Sequence, residues 1–388
     1  MIKESPFGKY EISFEDIKYL ILTVVFCALV IYVYGNISYK NPDYIKWDLH
    51  DYRAMAQAAP QLTNQVRQPF VFRILGPYLA GLLPFSINNS FLIISISSGI
   101  SLSILFYLYL RSNIAEPFIA ALVTILFLLN KYLFGFSNWN YFQICDTISE
   151  IEIVLLMWTM ISKKWFQFGI ILFLGSLTKE TTLIMIPVVF IYLIETHIID
   201  KNWEPVFSAI LPALLASVTL HIVLRSDTGN NLVQALVAYS SKLMIPETWF
   251  RLLINSFLPF SLLPIIFSDT TRNYFSKRKY AVVYFMLVII STFFGYNNER
   301  LMAPAFIVFY PIIAVIIKEH IARSRPMILM VIIAAIITSF HHTYARFPLP
   351  RELTINISLF AFVIISFMML YYRIWLGKNY VKHNSENI

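Results

Sequence analysis

Five short segments of the chain carry charge in patterns that could do chemistry. The first is Trp47-Asp48-Leu49-His50-Asp51-Tyr52-Arg53. On a helix its two carboxylates, three residues apart, share one face. A carboxylate held beside a hydroxyl can take its proton as general base. The alternative is a solvated surface acid paired with Lys46 or Arg53, which matters little energetically. The second segment runs from Arg67 through Phe70 and Phe72 to Arg73. Arginine offers a fixed fork of donors that suits phosphate, or it snorkels to headgroups beside aromatic residues. The third is Asp146 and Glu150, four residues apart with Glu152 nearby, at the start of an apolar stretch. Such acids face a cavity or a cationic partner, for which Lys131 is available. The fourth is Lys179-Glu180, in which Lys179 reaches phosphate with Glu180 holding it, or the two serve an interhelical salt bridge. The fifth is Asn297-Asn298-Glu299-Arg300, where Glu299 and Arg300 form a self-contained pair or Arg300 grips an anion.

The elements that must position these groups are set by composition. Of the 388 residues 58% are hydrophobic and only 13% charged, and the mean hydropathy is +0.67. Soluble chains carry about 25% charged residues. This composition specifies an all-α, polytopic transmembrane helical bundle. The two cysteines, Cys27 and Cys145, exclude a disulfide scaffold and a cysteine-rich metal site. The net charge of +8 points to loops facing anionic membrane lipid, not to nucleic acid.

A spanning helix needs about 20 apolar residues. Candidate spans are 17–35, 87–110, 117–136, 142–161, 205–224, 248–268, 280–296, 301–317, 327–342 and 353–376. The longer apolar region 166–196 is interrupted by Thr178-Lys179-Glu180-Thr181. Read as a hairpin of two short helices, it gives about twelve spans with both termini inside. That arrangement puts 17 of the 30 Lys and Arg residues on the inner side, including the Arg272–Lys279 cluster, as the positive-inside rule requires. Half-length helices at membrane depth belong beside a polar cavity or inside protein. The first outer loop, 36–86, is the longest. Interfacial helices are predicted within it at 51–59 and at the proline-broken 69–84. Inner acids, Asp16 among them, read as solvated loop charges. His341 and His342 are neighbours that point different ways on a helix, so they make a poor metal site. The whole of 1–388 reads as one transmembrane domain without a separate soluble domain.

Taken together, the pieces resemble the GT-C class of integral-membrane glycosyltransferases. The likeness rests on Trp47-Asp48-x3-Tyr52-x2-Met55-Ala56 and on Pro69-Phe70-x2-Arg73-Ile74-Leu75-x-Pro77-x-Leu79-Ala80. It extends to Gly175-Ser176-Leu177-Thr178-Lys179-Glu180-Thr181 and Asn298-Glu299-Arg300-Leu301-x2-Pro304, and in architecture covers about residues 10–375. The resemblance implies inverting transfer of a sugar from a polyprenyl-phosphate donor to a glycan, lipid or protein acceptor. The site would face outward from a bacterial inner membrane. An acid of the first outer loop would be the base: by position Asp48, with Asp51 in reserve. Arg73, Lys179 and Arg300 would hold the lipid phosphate. Tyr52, Asp146, Glu150, Glu180 and Glu299 complete the expected substrate-binding set. No cofactor is implied, and a divalent cation is not indicated. A polysaccharide-repeat polymerase is the main rival, but it would carry its longest outer loop in the second half. A lipid-linked-sugar flippase or transporter would show inverted repeats and mid-membrane charges in several spans.

Overall fold

The structure, a computed structural model, describes residues 13–37, 48–196, 203–224, 232–295, 297–340 and 350–385. All regular structure in them is helical. Trp47, His341 and His342 lie outside the described residues. The helices are α1 (Phe14–Tyr34), α2 (Leu49–Ala58), α3 (Leu75–Leu82), α4 (Ile87–Asn113), α5 (Pro117–Leu128), α6 (Lys131–Trp139) and α7 (Ile144–Ile161). There follow α8 (Trp165–Thr178), α9 (Met185–Glu195), α10 (Glu204–Val223), α11 (Leu232–Ser240), α12 (Pro246–Leu253), α13 (Leu263–Ile266), α14 (Ser268–Ser276) and α15 (Lys279–Thr292). The last are α16 (Asn298–Leu301), α17 (Ala303–Ile321), α18 (Arg325–Ser339) and α19 (Arg351–Ser385).

Five of these are long and apolar enough to cross a membrane: α1, α4, α10, α17 and the Glu352–Trp375 part of α19. Many of their large apolar side chains, such as Leu29, Ile222 and Phe367, are exposed, which only lipid solvates cheaply. The protein is an integral membrane protein. The candidate span 117–136 departs from expectation: α5 and α6 meet at a bend of 68°, so they form one broken span at most. The candidate span 248–268 is no continuous helix. It breaks into α12, a 3-10 turn at Asn255–Phe257 and α13, because Pro259 and Pro264 each remove a backbone donor. α8, α15 and α18 are shorter apolar helices of 14 to 15 residues.

The interruption at Lys179 reverses the chain. Lys179 Nζ meets Asp146 Oδ1 at 2.7 Å beside the start of α7. At the other end of α7, the Tyr192 hydroxyl donates to the Ile161 carbonyl at 3.2 Å. Segment 165–195 therefore goes out and comes back. α8 and α10 cross closely: a Cβ on Gly169 would lie 3.0 Å from the Ala209 Cα. Small residues of this kind hold helices together where lipid competes equally for apolar contact.

Charge collects at the two ends of the bundle. At one end Glu195 caps α15, accepting from the backbone N–H of Lys279 at 3.1 Å and of Tyr280 at 3.3 Å. Asp16 lies at the α1 start and corrects an expectation. It is buried, not a solvated loop charge. It closes a capping box with Ser13 and receives Arg111 Nε at 2.7 Å and the Tyr107 hydroxyl at 3.2 Å. At the opposite end the first loop folds into a cap with its own apolar core, in which Tyr52, Met55, Val71 and Phe72 pack against Phe142 and Ile144. The predicted loop helices are present as α2 and as a 3-10 turn (Phe70–Phe72) followed by α3. They pack so closely that a Cβ on Gly81 would stand 2.1 Å from the Ala56 carbonyl oxygen.

Candidate active site

Four segments distant in sequence converge beneath the cap. Asp48 precedes α2, where its side chain makes no capping bond. Its Oδ2 accepts from Gln143 Nε2 at 2.6 Å and lies 3.5 Å from Arg300 Nη1. Among the described residues its Oδ1 accepts no hydrogen bond, and the side chain keeps 19% exposure. Arg300 sits on α16, whose first turn is tied by the Asn297 side chain accepting from the Arg300 N–H at 3.2 Å. Its Nε also stands 3.3 Å from Asp146 Oδ2, without the alignment of a hydrogen bond. Asp146, on the first turn of α7, is thus shared between Arg300 and Lys179.

Arg73 ends the 3-10 turn of the cap. Its guanidinium donates to Glu180 Oε2 at 3.0 Å and to the Tyr52 hydroxyl at 3.2 Å. Phe70 lies between the two cap arginines, its ring centroid 5.7 Å from Arg67 and 5.2 Å from Arg73. Burial pushes the Tyr52 phenol well up, so it stays neutral beside Arg73.

The structure links Asp48, Arg300, Asp146 and Lys179 into one set and Tyr52, Arg73 and Glu180 into a second, within electrostatic reach of each other. Three cations, Arg73, Lys179 and Arg300, face three acids, Asp48, Asp146 and Glu180. The partners differ from those the sequence offered. Asp146 takes Lys179 and Arg300, in place of the suggested Lys131. Adjacent Lys179 and Glu180 diverge, because Lys179 has extended backbone at the end of α8 and successive extended side chains point to opposite sides. Glu299 is no self-contained pair with Arg300: it grips Arg251 of α12 through two bonds of 2.6 and 2.7 Å. Lys46 lies outside the described residues; Asp51 is buried and is not paired with Arg53. Both of its oxygens accept from Arg67, with Arg67 Nη2 at 2.5 Å. Glu150, one turn beyond Asp146, is buried, and neither carboxyl oxygen has a hydrogen-bond partner among the described residues. Glu152 accepts from the Thr178 hydroxyl at 2.6 Å.

Two participants escaped the sequence reading. Gln143 is uncharged and so carries no charge-pattern signal. Arg251 lies in the candidate span 248–268, where a lone arginine is itself a signal. Among the described residues no group of three His, Cys, Asp or Glu side chains is placed to hold a metal ion.

No protein-family model and no curated protein matches the chain. Two crystal structures of ArnT from Cupriavidus metallidurans do resemble it. The apo structure superposes with a TM-score of 0.52 at 15% identity. The structure bound to undecaprenyl phosphate gives 0.51 at 14%. Each match covers 92% of this chain and 71% of ArnT. At such identity the likeness is one of fold, and it agrees with the class that the order of motifs implied: the chain has the fold of ArnT, a GT-C glycosyltransferase.

Proposed function

We propose that this protein is an inverting membrane glycosyltransferase. It moves a sugar from a polyprenyl-phosphate donor to an acceptor hydroxyl on the non-cytoplasmic face of a bacterial inner membrane. The observation that carries the reading is the convergence of Asp48, Asp146, Lys179 and Arg300 through shared ion pairs, with Arg73 close enough to act on Asp146 and Arg300. The undecaprenyl phosphate bound to the similarly folded ArnT supports a lipid phosphate as leaving group.

In this reading Asp48 is the base. Its open Oδ1 takes the acceptor proton while the acceptor oxygen attacks the anomeric carbon. The bond from that carbon to the phosphate oxygen breaks, and the electron pair leaves on the polyprenyl phosphate. Gln143 and Arg300 hold the other oxygen of Asp48 and fix its direction. Asp51, saturated by Arg67, shapes the cap. Arg73, Lys179 and Arg300 stabilise the charge that develops on the leaving phosphate, where preorganised donors act most strongly. Since each cation already has an acid, the phosphate binds by exchange: it displaces Glu180 from Arg73 and loosens Asp146 and Asp48 from Arg300.

The direct test is a product assay with the purified chain and a set of polyprenyl-phosphate sugars. Release of polyprenyl phosphate, with a transferred sugar of inverted anomeric configuration, is expected. Equal turnover by the parent and Asp48→Asn would remove the assignment of the base. Sidedness is tested with cysteines introduced at 60 and 275. Position 60 should label from outside and 275 only from inside; the reverse pattern sinks the outward-facing site.

A further inference from the structure

A recess lies at the far end of α17 from Arg300. That helix has 19 residues, so its ends are about 28 Å apart, close to the hydrocarbon thickness of a bilayer of about 30 Å. The recess encloses about 1230 Å³ between the end of α17, the start of α18, α14 and α19. Its wall pairs its own charges, although the Asp269 and Glu319 carboxylates are exposed. His320 Nε2 lies 2.8 Å from the Thr270 hydroxyl, which donates to Glu319 at 2.9 Å. Arg373 holds Asp269 at 2.7 Å and the Ile266 carbonyl.

The lip differs from the wall in having no paired charge among the described residues. Arg323 and Arg325 are exposed, and neither has an acidic partner among the described residues. Between them Ser324 begins α18 without capping it through its side chain, and Pro326 follows at the second position. Among the described residues the amides of Arg325 and Met327 in the first turn have no backbone acceptor, and such orphan donors at the positive end of a helix suit an anion. Tyr372 and Trp375 stack at 6.0 Å on the facing wall, and Trp375 is half exposed, as aromatic residues are at a membrane interface.

We infer that this recess binds the phosphate headgroup of an anionic phospholipid in the leaflet opposite the glycosyl-transfer site. Arg323, Arg325 and the α18 start take the phosphate, and Trp375 lies along the upper acyl chain. The inference does not depend on the transferase reading, because the two sites sit at opposite ends of α17.

The test loads the full-length purified protein with phosphatidylglycerol or phosphatidylcholine and counts retained lipid by native mass spectrometry. Phosphatidylglycerol should be retained in preference. The double variant Arg323→Ala/Arg325→Ala should weaken its retention roughly 10- to 30-fold, at about one basic residue's surface attraction each. Equal retention of the two lipids overturns the proposal, as does unchanged retention by a variant with parental thermal stability. Release of the lipid by millimolar inorganic phosphate would make this a free-anion site and overturn the lipid assignment. An arm without arginine substitution uses brominated lipids. Brominated phosphatidylglycerol should quench tryptophan emission more than brominated phosphatidylcholine, and Trp375→Phe should abolish the difference. A difference between the two lipids that persists in Trp375→Phe would also overturn the site.

Discussion

Two aspartates, one at each end of the bundle, are built on opposite plans: Asp16 is buried and Asp48 is partly exposed. Asp16 is saturated: Ser13, Arg111 and Tyr107 donate to its carboxylate. Its bond to Arg111, at 2.7 Å, ties α1 to the end of α4. Asp48 has one oxygen held by Gln143 and the other open, and its ionic neighbour Arg300 stands at 3.5 Å. Arg300 in turn is divided between two acids, at 3.3 and 3.5 Å, with no aligned hydrogen bond to either. A short, saturated ion pair fixes structure. Long, shared pairs can exchange partners without first breaking an optimised bond. The difference separates the charges that hold the helices from those a phosphate and an acceptor can reorganise.

The sharpest way to break this comparison is to neutralise both aspartates. Removing a general base costs about 10²- to 10⁴-fold in rate. Asp48→Asn should lose that much transfer activity while keeping the parental melting temperature. Asp16→Asn should keep its turnover number per folded molecule and lose stability, because the buried Asp16 is bonded to the Arg111 guanidinium. Hydrogen bonds to charged groups are worth about 1.5–3 kcal/mol. Steady-state rates and thermal unfolding on the same samples decide it. If Asp16→Asn lost as much rate as Asp48→Asn, the division between the two ends would fail.

Next in size is the Asp146–Lys179 pair, whose side chains are only 3% and 4% exposed. Taking away one partner leaves the other buried and uncompensated, at about 3–5 kcal/mol. Asp146→Ala should therefore lower stability more than Asp16→Asn, which leaves Arg111 27% exposed and able to reach water. Denaturant or thermal unfolding in detergent reads this directly. Equal, small losses would mean that water already reaches Lys179. A smaller effect is expected at Arg73. Arg73→Ala removes one charged donor from the phosphate and should weaken donor binding roughly 10- to 100-fold, measured as the dissociation constant of a polyprenyl phosphate. Unchanged binding would place Arg73 among the structural charges.

The helical membrane class and the two helical pieces of the first loop were legible in the sequence, because they rest on local composition and spacing. The partners of the charged residues were not. Glu180 and Lys179 are neighbours in the chain, yet one reaches Arg73 and the other Asp146. Glu299 and Arg300 likewise diverge to Arg251 and to Asp146 and Asp48. Which opposite charges meet is a property of helix packing, and no spacing rule within one segment reports it. Asp16 shows the same limit: the capping box was local, but its burial depends on Arg111 and Tyr107 from α4. The break in 248–268 was readable in Pro259 and Pro264, and apolar content alone concealed it.

The subtlest expected effect sharpens the comparison most. Glu180 is the exposed member of the cluster, 37% accessible, and it holds Arg73 at 3.0 Å. Binding by exchange requires the phosphate to take Arg73 from Glu180, so the lost pair opposes donor binding. Pairs this exposed are worth about 0–1 kcal/mol, which corresponds to at most about a 5-fold change in affinity. Glu180→Gln keeps the size of the side chain and removes its charge. It should tighten donor binding by up to that factor, the opposite sign from Arg73→Ala. Arg73 stays positioned in the variant by the Tyr52 hydroxyl and the Phe70 ring, so its geometry survives the loss of the acid. A titration of parent, Glu180→Gln and Arg73→Ala with polyprenyl phosphate at one ionic strength compares the three. Were Glu180→Gln to weaken binding as Arg73→Ala does, Glu180 would be a positioner of Arg73 and not its competitor. The cluster would then be a fixed cradle, built on the saturated plan of Asp16, and exchange would have no part in how the donor enters.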